Sequence, residues 1–133
     1  MDIDRSMSIL VVADSAAIVR IVRSLLQQIG FIDVDESGDG ASALAKMRDR
    51  PYGLVISDWN LGAMISFAFL RELRGDPGLK RTPFILMMGE YKVENVIAAK
   101  RAGISNYIVK PFDAPTLKAK IESTFAVRAA NSA

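Results

Sequence analysis

VISDWN, Val55 to Asn60, carries an apolar, strand-like segment straight into a carboxylate, an indole and an amide. Such a segment suits a buried parallel strand whose carboxyl end reaches the working edge of a sheet. Alone, Asp58 is equally what a turn residue closing a strand would be. Its surroundings have to decide between the two.

Five short apolar runs alternate with five amphipathic stretches: Ile9 to Ala13, Ile32 to Glu36, Leu54 to Ser57, Phe84 to Met88 and Asn106 to Val109 are the runs. ILVVA, LVIS and FILMM are nearly continuous in hydrophobicity, as strands covered on both faces must be. Ile18, Ile21, Val22, Leu25, Leu26 and Ile29 mark a first helix stopped by Gly30. Ala43, Leu44 and Met47 mark a second, ended by Pro51, and Phe67, Leu70 and Leu73 a third, ended near Gly75 to Gly78. Val93, Val96, Ile97 and Lys100 suggest a fourth; Leu117, Ile121 and Phe125 give a fifth, with Asp113 as its N-cap. Strand and helix in alternation with short links predict an α/β fold, an open five-stranded parallel sheet in a doubly wound (βα)5 sandwich. In that architecture Asp14, Asp58, Met88 with Gly89, and Lys110 all fall at strand carboxyl ends and should converge.

The chain has 133 residues, one domain's worth, with frayed ends expected at 1–7 and about 128–133. No apolar run approaches the roughly 18 residues of a membrane span, and the N-terminus lacks the pattern of a secretory signal. A cytoplasmic protein with no membrane partner is the expectation. Seventeen basic against 15 acidic residues leave a net charge of +2, too little to demand nucleic acid. There is no cysteine and no histidine, which removes thiolate chemistry, the usual general base and the usual zinc ligand. Two carboxylates and a lysine at one sheet edge, without a glycine-rich phosphate loop, suit phosphoryl transfer to Asp with Mg²⁺ held by oxygen ligands.

LVVAD (Leu10 to Asp14), VISDWN, ENVIAAKRAG (Glu94 to Gly103) and YIVKPF (Tyr107 to Phe112) together resemble the receiver domain of bacterial two-component response regulators, of the single-domain chemotaxis type. The likeness runs from about Ser8 to Phe125 and implies a flavodoxin-like fold. It implies that Asp58 is the phosphoacceptor, that Asp14, Asp58 and the backbone carbonyl of Asn60 hold Mg²⁺, and that Lys110 answers the phosphoryl charge. It implies that Tyr107 reorients on activation and that the Lys110-Pro111 bond is cis. The implied partners are a sensor histidine kinase or phosphotransfer protein, and a downstream protein docked on the fourth helix, fifth strand and fifth helix, around Tyr107, Lys92 and Lys118. After the fifth helix only a few small and polar residues remain, so direct DNA binding is not expected. The brevity of the chain and the lack of a second acid near Asp58 as general acid weigh against a phosphohydrolase on the same sheet, so no enzyme is expected.

Three positions depart from the family pattern. Ala13 stands where a second acid is usual, which should weaken Mg²⁺ by roughly 10 to 100-fold. Met88 replaces the usual Thr or Ser, and a thioether cannot donate the hydrogen bond a phosphoryl oxygen would draw in. The loop after the acceptor reads LGAMISFAF, Leu61 to Phe69, with Gly62, Ile65 and Ser66 at positions that are usually Pro, acid and Gly. Met64, Ile65, Phe67 and Phe69 cannot all face one core from one helix, so a dimer or partner surface there is expected. The alternative to a working switch is a phosphorylation-independent pseudo-receiver, a constitutive or ligand-controlled interaction module. The acids Asp33, Asp35, Glu36 and Asp39, and the basic residues Arg20, Arg23, Arg71, Arg74, Lys80, Arg81, Lys100 and Arg101, read as solvated charges, with a phosphate-rich ligand as the alternative for a cluster of the latter.

Overall fold

A computed structural model describes residues 3–61, 64–65 and 67–132, with 64–65 and 129–132 described by backbone alone. Five parallel strands form one sheet in the order β2-β1-β3-β6-β7: β1 is Ile9–Val12, β2 Val34–Ser37, β3 Leu54–Asp58, β6 Phe84–Met88 and β7 Asn106–Val109. Two further strands, β4 (Asn60–Leu61) and β5 (Met64–Ile65), pair antiparallel beside it. The helices are α1 (Ala16–Ile29), α2 (Gly40–Asp49), α3 (Phe67–Gly75), α4 (Val93–Ala102) and α5 (Ala114–Ser132).

The near-continuous hydrophobicity of the central strands has a direct cause. Side chains alternate between faces, and each face carries its own core. Ile9, Val11, Leu54, Ile56, Ile85 and Met87 join Val22, Leu26, Leu117 and Ile121 under α1 and α5. Leu10, Val12, Val55, Phe84, Leu86 and Met88 join Leu44, Leu70, Leu73 and Val96 under α2, α3 and α4. Strand order reverses on either side of β1, so the crevice between the carboxyl ends of β1 and β3 is the natural place for a site.

The helix ends follow local chemistry. Ser15 accepts from Ile18 N–H at the start of α1, and Gly30, at φ 115°, closes it in the left-handed conformation. Asp39 caps α2 through Ser42 N–H, and Asp113 caps α5 through Thr116 N–H at 2.9 Å, as its position predicts.

Several expectations need correction. The second strand starts at Val34, not Ile32, which is 85% exposed. An edge strand has one neighbour and needs less apolar sequence, so VDES suffices. Its outward carbonyls do not face water alone: Arg23 Nη2 donates to Val34 O at 2.6 Å and Lys46 Nζ donates to Glu36 O. In α4 the inward side is Val96 and Ala99, whereas Val93 and Ile97 are exposed. In α1, Ile21 is likewise exposed. The ends are better held than foreseen: Ile3 is in the core, Arg5 donates to Ile29 O and lies over the Phe31 ring, and α5 continues to Ser132. Met1, Asp2 and Ala133 lie outside the described residues.

Many charges taken as solvated are engaged. Arg74 donates to Gly103 O, Lys80 O and Thr82 O, tying the end of α3 to the end of α4. Asp33 and Asp35 share Arg50, with Ser8 donating to the first and Tyr52 to the second. Glu36 pairs with Arg23 at 3.6 Å, and Asp39 is the α2 cap described above.

Candidate functional site

β3 ends on Asp58, which is only 5% exposed. The register that sets Val12 opposite Ser57 brings Ala13 level with Asp58 on one side, and on the other Asp58 pairs with Met87. Beyond Met87, Met88 pairs with Val109, so Lys110 follows at the same edge. Its backbone N–H donates to Met88 O at 2.7 Å, and its Nζ reaches across to Asp58 Oδ1 at 2.8 Å. The Lys110-Pro111 peptide is cis. Lys110 and the Asp58 carboxylate, 52 residues apart in sequence, are thus brought into one ion pair.

Asp14 lies one residue past Ala13 and is exposed; Asn60, two residues past Asp58, is exposed at the start of β4. Two carboxylates and a carbonyl are hard oxygen ligands, and among the described residues no cluster of three acidic side chains gathers at metal-binding spacing. That donor set suits Mg²⁺, which keeps several of its waters, rather than a metal needing an all-protein cage.

Met88 is 2% exposed and packs in the core under α2, α3 and α4, so no hydroxyl stands at the end of β6. Tyr107 on β7 is half-buried against the same core. Its ring lies 6.0 Å from that of Tyr91, and Lys120 Nζ sits 4.3 Å from its centroid, a cation–π arrangement. Lys92 pairs with Glu90 at 3.2 Å at the start of α4, and Lys118 is exposed on α5.

In the loop after Asp58, Phe69 lies in the core rather than on the expected apolar surface, and Phe67 is half-buried. Phe69 is buried against Phe84, and Phe67 packs edge-on against Trp59 at 5.0 Å between centroids. Both face inward because the segment is a short hairpin followed by a helix, not one continuous helix. Gly62, Ala63, Ser66 and the side chains of Met64 and Ile65 lie outside the described residues. The hairpin and the Trp59–Phe67 contact are missed by helical periodicity. The signal present in sequence is the two-residue spacing of Leu61 and Met64 around Gly62-Ala63.

An open five-stranded parallel sheet with an acid and a lysine paired at its carboxyl edge has the arrangement of a receiver-type signalling domain. The response regulator receiver domain family matches residues 9–122, and the chain belongs to that family. It is 38% identical over 123 residues to chemotaxis protein CheY-3 of Vibrio cholerae serotype O1, covering 92% of this chain and 95% of that protein. It is 38% identical over 119 residues to chemotaxis protein CheY of Pseudomonas aeruginosa, covering 90% and 96%. Among solved structures, chemotaxis response regulator CheY4 of Vibrio cholerae superposes with a TM-score of 0.82 at 31% identity, covering 90% of this chain and 98% of the other. The chain is a CheY-like receiver of two-component signalling, with the flavodoxin-like fold of that family. No helix among the described residues is long and apolar enough to cross a membrane.

Proposed function

We propose that residues 1–133 act as a chemotaxis-type receiver in the cytoplasm that accepts a phosphoryl group on Asp58 and signals by docking a protein. The observation that carries this reading is the 2.8 Å contact between Lys110 Nζ and Asp58 Oδ1 at the carboxyl edge of the sheet. One acceptor oxygen is thereby oriented, leaving the other to attack. A carboxylate oxygen of Asp58 forms the new O–P bond as the N–P bond of a phosphohistidine on the donor kinase or phosphotransfer protein breaks. The electron pair of that bond returns to the donor imidazole. Lys110, already in place, meets the negative charge gained at the site without reorganising.

Asp14, Asp58 and the Asn60 carbonyl would hold Mg²⁺, which supplies charge neutralisation for the transferring group. Ala13 leaves this set one carboxylate short of the family pattern. Ala13→Asp is expected to tighten Mg²⁺ by roughly 10 to 100-fold, read from Trp59 fluorescence in a Mg²⁺ titration. The output face is α4, β7 and α5, where Tyr107 meets Tyr91 and Lys120, with Lys92 at the start of α4 and Lys118 exposed on α5. With Met88 in place of a hydroxyl, the coupling between Asp58 and Tyr107 is weaker than in the family pattern.

The test follows Trp59, adjacent to the acceptor, through Mg²⁺ addition and then beryllofluoride or a small phosphodonor, with Asp58→Asn as control. A saturable change absent from the control, with one phosphoryl group added by mass, supports the switch. No change and no added mass at high Mg²⁺ would assign the chain to the phosphorylation-independent reading.

A further inference from the structure

A cleft of about 650 Å³ opens beside Asp14, between the first turns of α1 and those of α2. Pockets for small molecules commonly span about 300–1,000 Å³. Two of its lining residues are short: Ala13, where the family pattern has an acid, and Gly38, around which a built Cβ meets nothing within 4 Å. Neither contributes charge. Three cations line the cleft, Arg20 and Arg23 from α1 and Lys46 from α2, against the acids Asp14 and Glu36.

The partners of these charges differ. Arg23 is spent on Glu36 and on Val34 O. Lys46 gives one N–H to Glu36 O and keeps its charge and two further donors. Arg20 makes no hydrogen bond or ion pair among the described residues, and its side chain is exposed. A guanidinium fork on one wall and an ammonium on the other match the acceptor-rich oxygens of a phosphate chain. Val19 and Ala16 offer an apolar wall for the remainder of a ligand. An acid at position 13 would bring the charge of this lining from +1 to zero, so this chain's own departure from the family pattern favours anions here.

We propose that this cleft binds a phosphorylated small molecule of nucleotide size, its phosphates held between Arg20 and Lys46. The cleft shares Asp14 with the proposed Mg²⁺ set but not Asp58, which does not line it, so the proposal does not require phosphoryl transfer.

ADP, with adenosine as the phosphate-free control, tests it by amide chemical-shift titration at low ionic strength without Mg²⁺. Saturable shifts in α1 and α2 with ADP and none with adenosine are expected. Arg20→Ala and Lys46→Ala should each weaken ADP by about tenfold. Gly38→Glu should abolish binding with the thermal midpoint unchanged, because Gly38 has an ordinary backbone φ and open space around it. Asp58→Asn should bind as the wild type does. The proposal is overturned by absence of saturable shifts with ADP, by equal binding of adenosine, by persistence of binding in Gly38→Glu, or by its loss in Asp58→Asn. The last result would put the phosphates at the acceptor instead.

Discussion

Lys110 and Asp58 meet with the acid 5% exposed and the lysine side chain 26% exposed, so removing either leaves a different residue of cost. Lys110→Ala strands a buried carboxylate and should destabilise by about 2 kcal/mol, less than for a fully buried pair because Lys110 still touches solvent. Urea unfolding at neutral pH reads this, and adding Asp58→Asn to the same chain should recover part of the loss, since no unpaired charge then remains. Tyr52, at the opposite end of the sheet, makes a second residue-level case. Burial, together with its hydrogen bond to Asp35, pushes the phenol up to about 12 from 10.0. The folded chain therefore keeps this proton where the unfolded chain has lost it. The stabilisation is fully present below about pH 10 and is lost as pH rises towards 12. The urea midpoint should fall across that window, and the fall should be smaller in Tyr52→Phe.

At the scale of the element, β2 is one of the two edges of the five-stranded sheet, and an open edge is a template for pairing with another chain. Arg23 and Lys46 reach it from opposite faces of the sheet and occupy the carbonyls of Val34 and Glu36. Replacing both by alanine should give new concentration-dependent self-association in sedimentation velocity, while Arg71→Ala, on α3, should sediment as the wild type does. What was legible beforehand follows the same physics. β1, β3, β6, α1 and α5 are legible because their residues meet two covered faces or one continuous apolar stripe; Asp58 closes β3, Asp14 follows β1, and Lys110 follows the edge strand β7. β2 was misplaced by two residues because Ile32, though apolar, is exposed, and an edge strand leaves little hydrophobic trace. The inward side of α4 was misjudged because it is made with Ala99 and Val96 while bulkier Val93 and Ile97 turn outward. The roles of Arg74 and Arg50 depend on carbonyls and carboxylates distant in sequence, which periodicity does not see.

For the whole molecule, the two cores are separated only by the thickness of the sheet, and consecutive residues of β3, such as Val55 and Ile56, belong to different ones. Losing either core exposes the sheet that supports the other, so the two should unfold together. Trp59 packs against the α2, α3 and α4 side only, whereas far-UV circular dichroism reports every helix. Coincident urea transitions from the two probes are expected; a separate earlier fluorescence transition would show that one side opens alone. The ion pair between residues 58 and 110 also has a consequence for synthesis. On a ribosome adding about 5–20 residues per second, Asp58 emerges some 3–10 s before the lysine it pairs with. A nascent or prematurely released chain that stops short of β7 carries Asp58 without the cation that pairs with it, so the ion pair at the sheet edge cannot form until Lys110 has been made.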